Sequence, residues 1–192
     1  MKKIILIGGG GHCASCIDVI EQEGNFEIAG VVDNNFVGGE VYGYPILGGD
    51  TSLIDLRSTY EFALITVGQI KTPEARIHLF DTCRALGYFM PTIVSPRAYV
   101  SRSASVGNGT IIMHDALINS RSVLGENCII NTKSLIEHDV IVKNHCHIST
   151  AAVINGGSVI ESGTFVGSNS VVKEAVVVGE KSFIKAGSIF IN

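Results

Sequence analysis

The sequence predicts two units in series: an α/β domain with a parallel, Rossmann-like sheet over residues 1–90, then a parallel β-helix of hexapeptide repeats over residues 91–192. Three observations carry this reading. Apolar strand-like runs alternate with helix-like segments in the first ninety residues, the rhythm of a parallel sheet with crossover helices. From Val100 to Phe190 every sixth residue is large and apolar, without a break. Two residues before each of these stands only Ala, Ser, Thr, Cys or Val.

The elements follow in order. KIILI is an apolar strand; Gly8 to Gly11 form a glycine loop, and Cys13 to Glu23 has the character of a helix. IAGVVD is a second strand ending at Asp33. Residues 34–61 read as loop, with Gly38, Gly39, Gly43, Pro45, Gly48 and Gly49 as breakers. FALITVG is a third strand, leading into a helix from about Pro73 to Leu86, and Pro91 and Pro96 mark a change of pattern.

Beyond that point neither helical nor strand alternation gives a column of period six. Short parallel strands wound around a triangular prism do, each step turning one corner and stacking its aliphatic side chain inward. Three steps close a coil of eighteen residues, so the sixteen from Val100 to Phe190 make about five coils. The residue before each inward aliphatic is also mostly apolar: Ile111, Leu117, Val123, Ile129, Leu135 and Ile141. These side chains lie outside the prism, and an apolar outer face implies a partner, for which a closed homotrimer is the natural solution.

Composition narrows the function. A net charge of −4 without a basic stripe excludes a nucleic-acid partner. The N-terminal apolar run is too short for a signal or a membrane span, so a cytoplasmic protein with no membrane partner is expected. Five scattered cysteines read as reduced, small buried side chains, the Cys13/Cys16 spacing having no second pair.

The stretch 136–147, IEHDVIVKNHCH, concentrates His138, His145 and His147. Metal ligands must converge on one point, and these three occupy different phases of the repeat, so no metal is expected. His145 and His114 fit solvated surface positions. His138 and Asp139 fall at a corner, and Gly156, one coil on, leaves the space above His138 without a side chain. The GGGGH loop is not a G-x-G-x-x-G fingerprint, but the helix N-terminus behind it suits an anion.

The pattern NTKSLIEHD, with His147 nine residues after His138, resembles the sugar acetyltransferases of the sialic acid and bacillosamine biosynthesis type, over essentially the whole chain. The resemblance implies a left-handed β-helix and acetyl-CoA as cosubstrate. It makes His138 the general base, with Asp139 or Glu137 orienting it, Asn131 an active-site asparagine, and His147 a contact to the thioester region. Gly156, Ser168 and Ala186 would line the CoA channel. Gly10, Gly11, His12, Asp33, Asn34 and Gly68 would hold the nucleotide part of the acceptor. The chain departs from many relatives in ending at IKAGSIFIN, where they carry Gly-x-Pro-Ala-Lys. A neutral imidazole, with a reference pKa of about 6.5, suits removal of a proton from an attacking amine or hydroxyl. The expected activity is N-acetylation of a UDP-type amino sugar. O-acetylation of a sialic or other nonulosonic acid, and a non-catalytic trimeric scaffold, remain as alternatives.

Overall fold

A computed structural model describes residues 1–35 and 38–191. The chain divides into two compact units, Met1–Gly68 with Glu74–Pro91, and Gln69–Pro73 with Thr92–Asn192.

In the first unit a five-stranded sheet has the order β3-β4-β2-β1-β5. Central β1 (Lys2–Ile7) pairs in parallel with β2 (Phe26–Val32) and β5 (Phe62–Ile65). Ile4 to Ile7 are fully buried, which is why this strand reads as a continuous apolar run instead of alternating. Helices α1 (Gly11–Glu23), α2 (Leu53–Leu56) and α3 (Glu74–Ala85) complete the unit. The loop reading of 34–61 needs correction: β4 (Tyr44–Gly48) pairs in parallel with β2, and β3 (Glu40–Val41) pairs antiparallel with β4, so the sheet is mixed at one edge. The hairpin turns at Tyr42 (φ 52°) and Gly43 (φ 81°), both in the left-handed region, as a two-residue hairpin turn requires. A two-residue strand is too short to show alternation. Arg76, 1% exposed, donates from Nη1 to the carbonyls of Ile65 (2.9 Å) and Val67 (2.6 Å) and so fixes the chain leaving β5.

The second unit is the left-handed parallel β-helix. Its two-residue strands stack in register every eighteen residues, as in Leu117↔Leu135↔Val153 and Ile118↔Ile136↔Ile154. The ladder begins one step earlier than the period suggested, because β6 (Ile93–Val94) pairs with Ile111–Ile112. The inward aliphatics from Ile112 to Val178 are buried to within 2%. Each contributes about 1.5–3 kcal/mol relative to exposure.

The structure also explains the column of small residues. Their side chains donate to the carbonyl fifteen residues on: Thr110 to Gly125, Ser122 to Glu137, Ser158 to Lys173 and Thr164 to Gly179, with Cys128 to Lys143 and Cys146 to Glu161 through sulfur. A small donor fits between coils and satisfies a carbonyl turned inward at each corner. At the corners every sixth residue from Gly109 to Gly187 has positive φ, including Asp115, Asp139 and His145. All five cysteines are buried free thiols. Burial pushes Cys13 up to about 11 and Cys83 to about 12.

Candidate active site

The corner between β13 (Leu135–Ile136) and β14 (Ile141–Val142) carries Glu137, His138 and Asp139. Inward Ile136 and Val140 anchor it, so the intervening side chains point out; that of His138 is 57% exposed. The His138 Nδ1 lies 2.8 Å from Asp139 Oδ2. Arg121, one coil earlier, grips the same carboxylate with Nε on Oδ1 (2.6 Å) and Nη2 on Oδ2 (2.7 Å). The Arg121 guanidinium, and then the His138 imidazole, hold the Asp139 carboxyl well below the usual carboxylate range. An ionised carboxylate only accepts, so Nδ1 carries a proton, and in the neutral ring Nε2 then holds the lone pair.

Of the two acids expected to orient His138, Asp139 meets the ring. Glu137 Oε2 instead accepts from Asn119 Nδ2 (2.9 Å) and the backbone N of His138 (3.3 Å). Gly156 lies over the imidazole: a Cβ there would stand 2.8 Å from His138 Cε1 and 2.9 Å from Nε2.

Asn131 and His147 form a second pair. The Asn131 Oδ1 accepts from Thr132 N (2.8 Å), so Nδ2 faces His147 Nε2 at 3.2 Å. His147 Nδ1 meets the carbonyl of Gln69 at 2.5 Å and must donate to it. Both ring nitrogens are thus engaged by a donor on one side and an acceptor on the other, the pattern of a neutral imidazole with its proton on Nδ1. The ring packs edge-on to Phe165, centroids 5.1 Å apart. The expectation that the outer column faces a partner fails on this side of the prism. Ile111 and Ile129 are fully buried and His147 is only 7% exposed within one chain. No local sequence pattern announced that Gln69, 78 residues away, would cover His147.

The two pairs stand at different corners. Asn131 opens the corner after β12 (Ile129–Ile130), His138 lies in the corner after β13, and His147 begins β15 (His147–Ile148) in the sheet of β12. Half-buried Ser168, its Oγ 2.9 Å from Ser149 Oγ, and exposed Ala186 share the corner that Asn131 opens, in the column of Thr132, while Gly156 shares the column of His138. His114 Nδ1 meets Ser95 Oγ at 2.6 Å, and His145 Nδ1 meets Asn127 Nδ2 at 3.0 Å. Among the described residues no three His, Cys, Asp or Glu gather as a metal site.

In the first unit Asp33 and Asn34 line a cavity of about 360 Å³ with Gly38, Gly48 and Gly49, beside a smaller one of about 150 Å³ reached by Gly8 and Asp50. Asp33 accepts from Gly9 N (2.6 Å) and Asn35 N (2.7 Å). Asn34 is held by two bonds to Asp50, a residue the sequence reading passed over. Gly10 caps α1 and Gly11 begins it, with open space where a Cβ would lie on either. A Cβ added at Gly68 would stand 3.5 Å from His12 Cβ.

Residues 3–80 match the family model described as the PglD N-terminal domain. A comparison with curated proteins found no match. Among solved structures, the chain is similar to a perosamine N-acetyltransferase from Caulobacter crescentus, solved as a histidine-to-asparagine variant with CoA and GDP-perosamine. The identity is 27%, the match covers 100% of this chain and 90% of that one, and the TM-score is 0.95. It is also similar to the acetyltransferase domain of PglB from Neisseria gonorrhoeae with acetyl coenzyme A, at 27% identity, 99% and 91% coverage and a TM-score of 0.92. A PglD-type first unit, an unbroken hexapeptide ladder and this full-length structural agreement make the chain similar to the hexapeptide-repeat sugar acetyltransferases.

Proposed function

We propose that the protein transfers the acetyl group of acetyl-CoA to the amino group of a nucleotide-linked amino sugar of the UDP type, with His138 as general base. The observation that carries this reading is the His138 ring itself: Nδ1 is committed to Asp139, and Nε2 is left with its lone pair beside Gly156, which has no side chain. The thioester of acetyl-CoA supplies an activated acyl group, so the task left to the protein is to take a proton from the attacking amine. His138 accepts that proton at Nε2, ionised Asp139 stabilises the resulting imidazolium, and the proton passes to the CoA thiolate that leaves as the C–S bond breaks. Gly156, Ser168 and Ala186 present small or absent side chains along the two corners where a pantetheine arm would lie.

Asn131, its amide turned to buried His147, serves this chemistry from another copy of the chain. The pair stands at a different corner from His138, while exposed apolar side chains on the remaining faces, Leu117 and Val123 among them, favour a homotrimer that sets unlike corners side by side. The Asp33 and Asn34 cavity takes the nucleotide. The relatives support a nucleotide-linked acceptor, one of them holding GDP-perosamine, so the base is the finest point of the reading. A cytoplasmic location, where acetyl-CoA and nucleotide sugars are both present, goes with it.

Acetyl-CoA turnover against UDP- and GDP-linked amino sugars, CMP-sialic acid and free nonulosonic acids, with light scattering on the same sample, tests the whole. The expected result is fastest turnover with a UDP-amino sugar by a particle of three chains. A preference for a free sugar acid would replace this reading with O-acetylation, and a folded trimer inert toward every acceptor would leave only the scaffold.

A further inference from the structure

We infer that Arg121 is a positioning residue of the reaction, fixing the Asp139 carboxylate against His138 Nδ1 and thereby fixing the imidazole tautomer that presents Nε2 over Gly156. The inference rests on His138 being the base and names the residue that sets it. Asp139 sits at an exposed corner, its side chain 41% accessible. Its Oδ2 serves two donors at once, Arg121 Nη2 and His138 Nδ1, while Oδ1 is held by Arg121 Nε. A two-point guanidinium grip fixes the plane of a carboxylate as well as its position. Without it the carboxylate can rotate, and an imidazole lacking its acceptor exchanges the proton between its two nitrogens. A proton on Nε2 leaves nothing there to accept one from an amine.

Stability does not account for such a pair. Exposed ion pairs contribute little to it, and Arg121 is two-thirds exposed. The molecule holds its own comparison, because Arg97 grips Asp115 in the same two-point manner beside His114. There the imidazole Nδ1 meets Ser95 Oγ, so that clamp holds no base.

The test uses the full chain as Arg121→Ala, Arg121→Lys and Arg97→Ala. The His138 tautomer is read by long-range ¹H–¹⁵N correlation, its signal assigned with His138→Asn. The expected result for Arg121→Ala is an unchanged melting temperature and a mixed tautomer. Its kcat should fall roughly tenfold, less than the about 10²–10⁴ that general-base catalysis supplies, with the KM for acetyl-CoA unaltered. Lysine, a single-point donor, should restore part of the rate, and Arg97→Ala should match wild type. In an Asp139→Asn background, Arg121→Ala should cost nothing further. A pure Nδ1–H tautomer and wild-type kcat in Arg121→Ala, or an additive loss in the double variant, overturns the inference. Should wild type acetylate no acceptor, the functional reading falls, and the tautomer signal still decides the role of Arg121.

Discussion

Two corners of the prism carry the same three residue types at the same spacing: Arg97, His114 and Asp115 at one, Arg121, His138 and Asp139 at the other. In each, an arginine one coil earlier grips the aspartate, and the aspartate sits in the left-handed region, at φ 58° and φ 63°. The difference lies one coil away on either side. Nineteen residues before His114 is Ser95, whose hydroxyl takes the ring nitrogen; nineteen before His138 is Asn119, which binds Glu137 and leaves the ring to Asp139. One coil above His114 comes Thr132, where Lys133 N donates to the His114 carbonyl; above His138 comes Gly156, where Gly157 N donates to the His138 carbonyl. A His-Asp pair is thus not a site by itself. The residues stacked above and below it decide whether the ring is a half-buried strut or an exposed imidazole.

The largest effect that can break this comparison is truncation of the two rings. His138→Ala should lower kcat by about 10²–10⁴ and leave the chain folded, because the ring projects from a corner and its loss opens no cavity in the prism. His114→Ala should do the reverse, keeping kcat and losing about 1 kcal/mol of stability with the Ser95 hydrogen bond. Steady-state kinetics and thermal melts on both variants read the two axes. Equal losses of kcat at the two corners would mean that the neighbours do not distinguish them.

The next effect sharpens what lies above the rings. Gly156 has no positive φ to excuse it, so its reason is space: an added Cβ would come within 2.9 Å of both Cε1 and Nε2 of His138. Gly156→Ala should displace the ring and lower kcat roughly tenfold, part of the general-base contribution, with little change in melting temperature. Thr132→Gly at the other corner should leave the rate alone. An unchanged kcat in Gly156→Ala would show that the ring can move without consequence.

Much of this was legible in the sequence, and the part that was not has a physical boundary. The β-helix repeats its demand every six residues, so its inward column could be read from Val100 to Phe190, and His138 and Asp139 could be placed at a corner from phase alone. The first rung at Ile93–Val94 was hidden between Pro91 and Pro96, and the edge strand Glu40–Val41 was too short for any period. Arg121 was overlooked although stepping by eighteen exposes it, since Arg97→Asp115 and Arg121→Asp139 are the same stride. The burial of His147 had no such signal: it depends on the carbonyl of Gln69, a backbone atom that leaves no mark in side-chain identity.

The smallest effect concerns the corners that carry no chemistry. Ala151 and Ala175 both sit at φ 55°, in the phase that Asp139 occupies. An L-residue in that conformation is strained by roughly 1–2 kcal/mol, because Cβ crowds the following carbonyl. Replacing it with glycine removes the strain but gives the unfolded chain more freedom, a loss of about 0.5–1 kcal/mol. The net gain is about 0–1.5 kcal/mol per site, each 1 kcal/mol being worth roughly 2–4 °C in melting temperature for a chain of this size. Ala151→Gly and Ala175→Gly should therefore melt slightly higher than wild type and turn over at the same rate. Lower melting temperatures in both would mean that the corners are held by packing between coils strongly enough to absorb the strain. The left-handed conformation of Asp139 would then be a consequence of its neighbours, and not a restriction on which residues can stand beside His138.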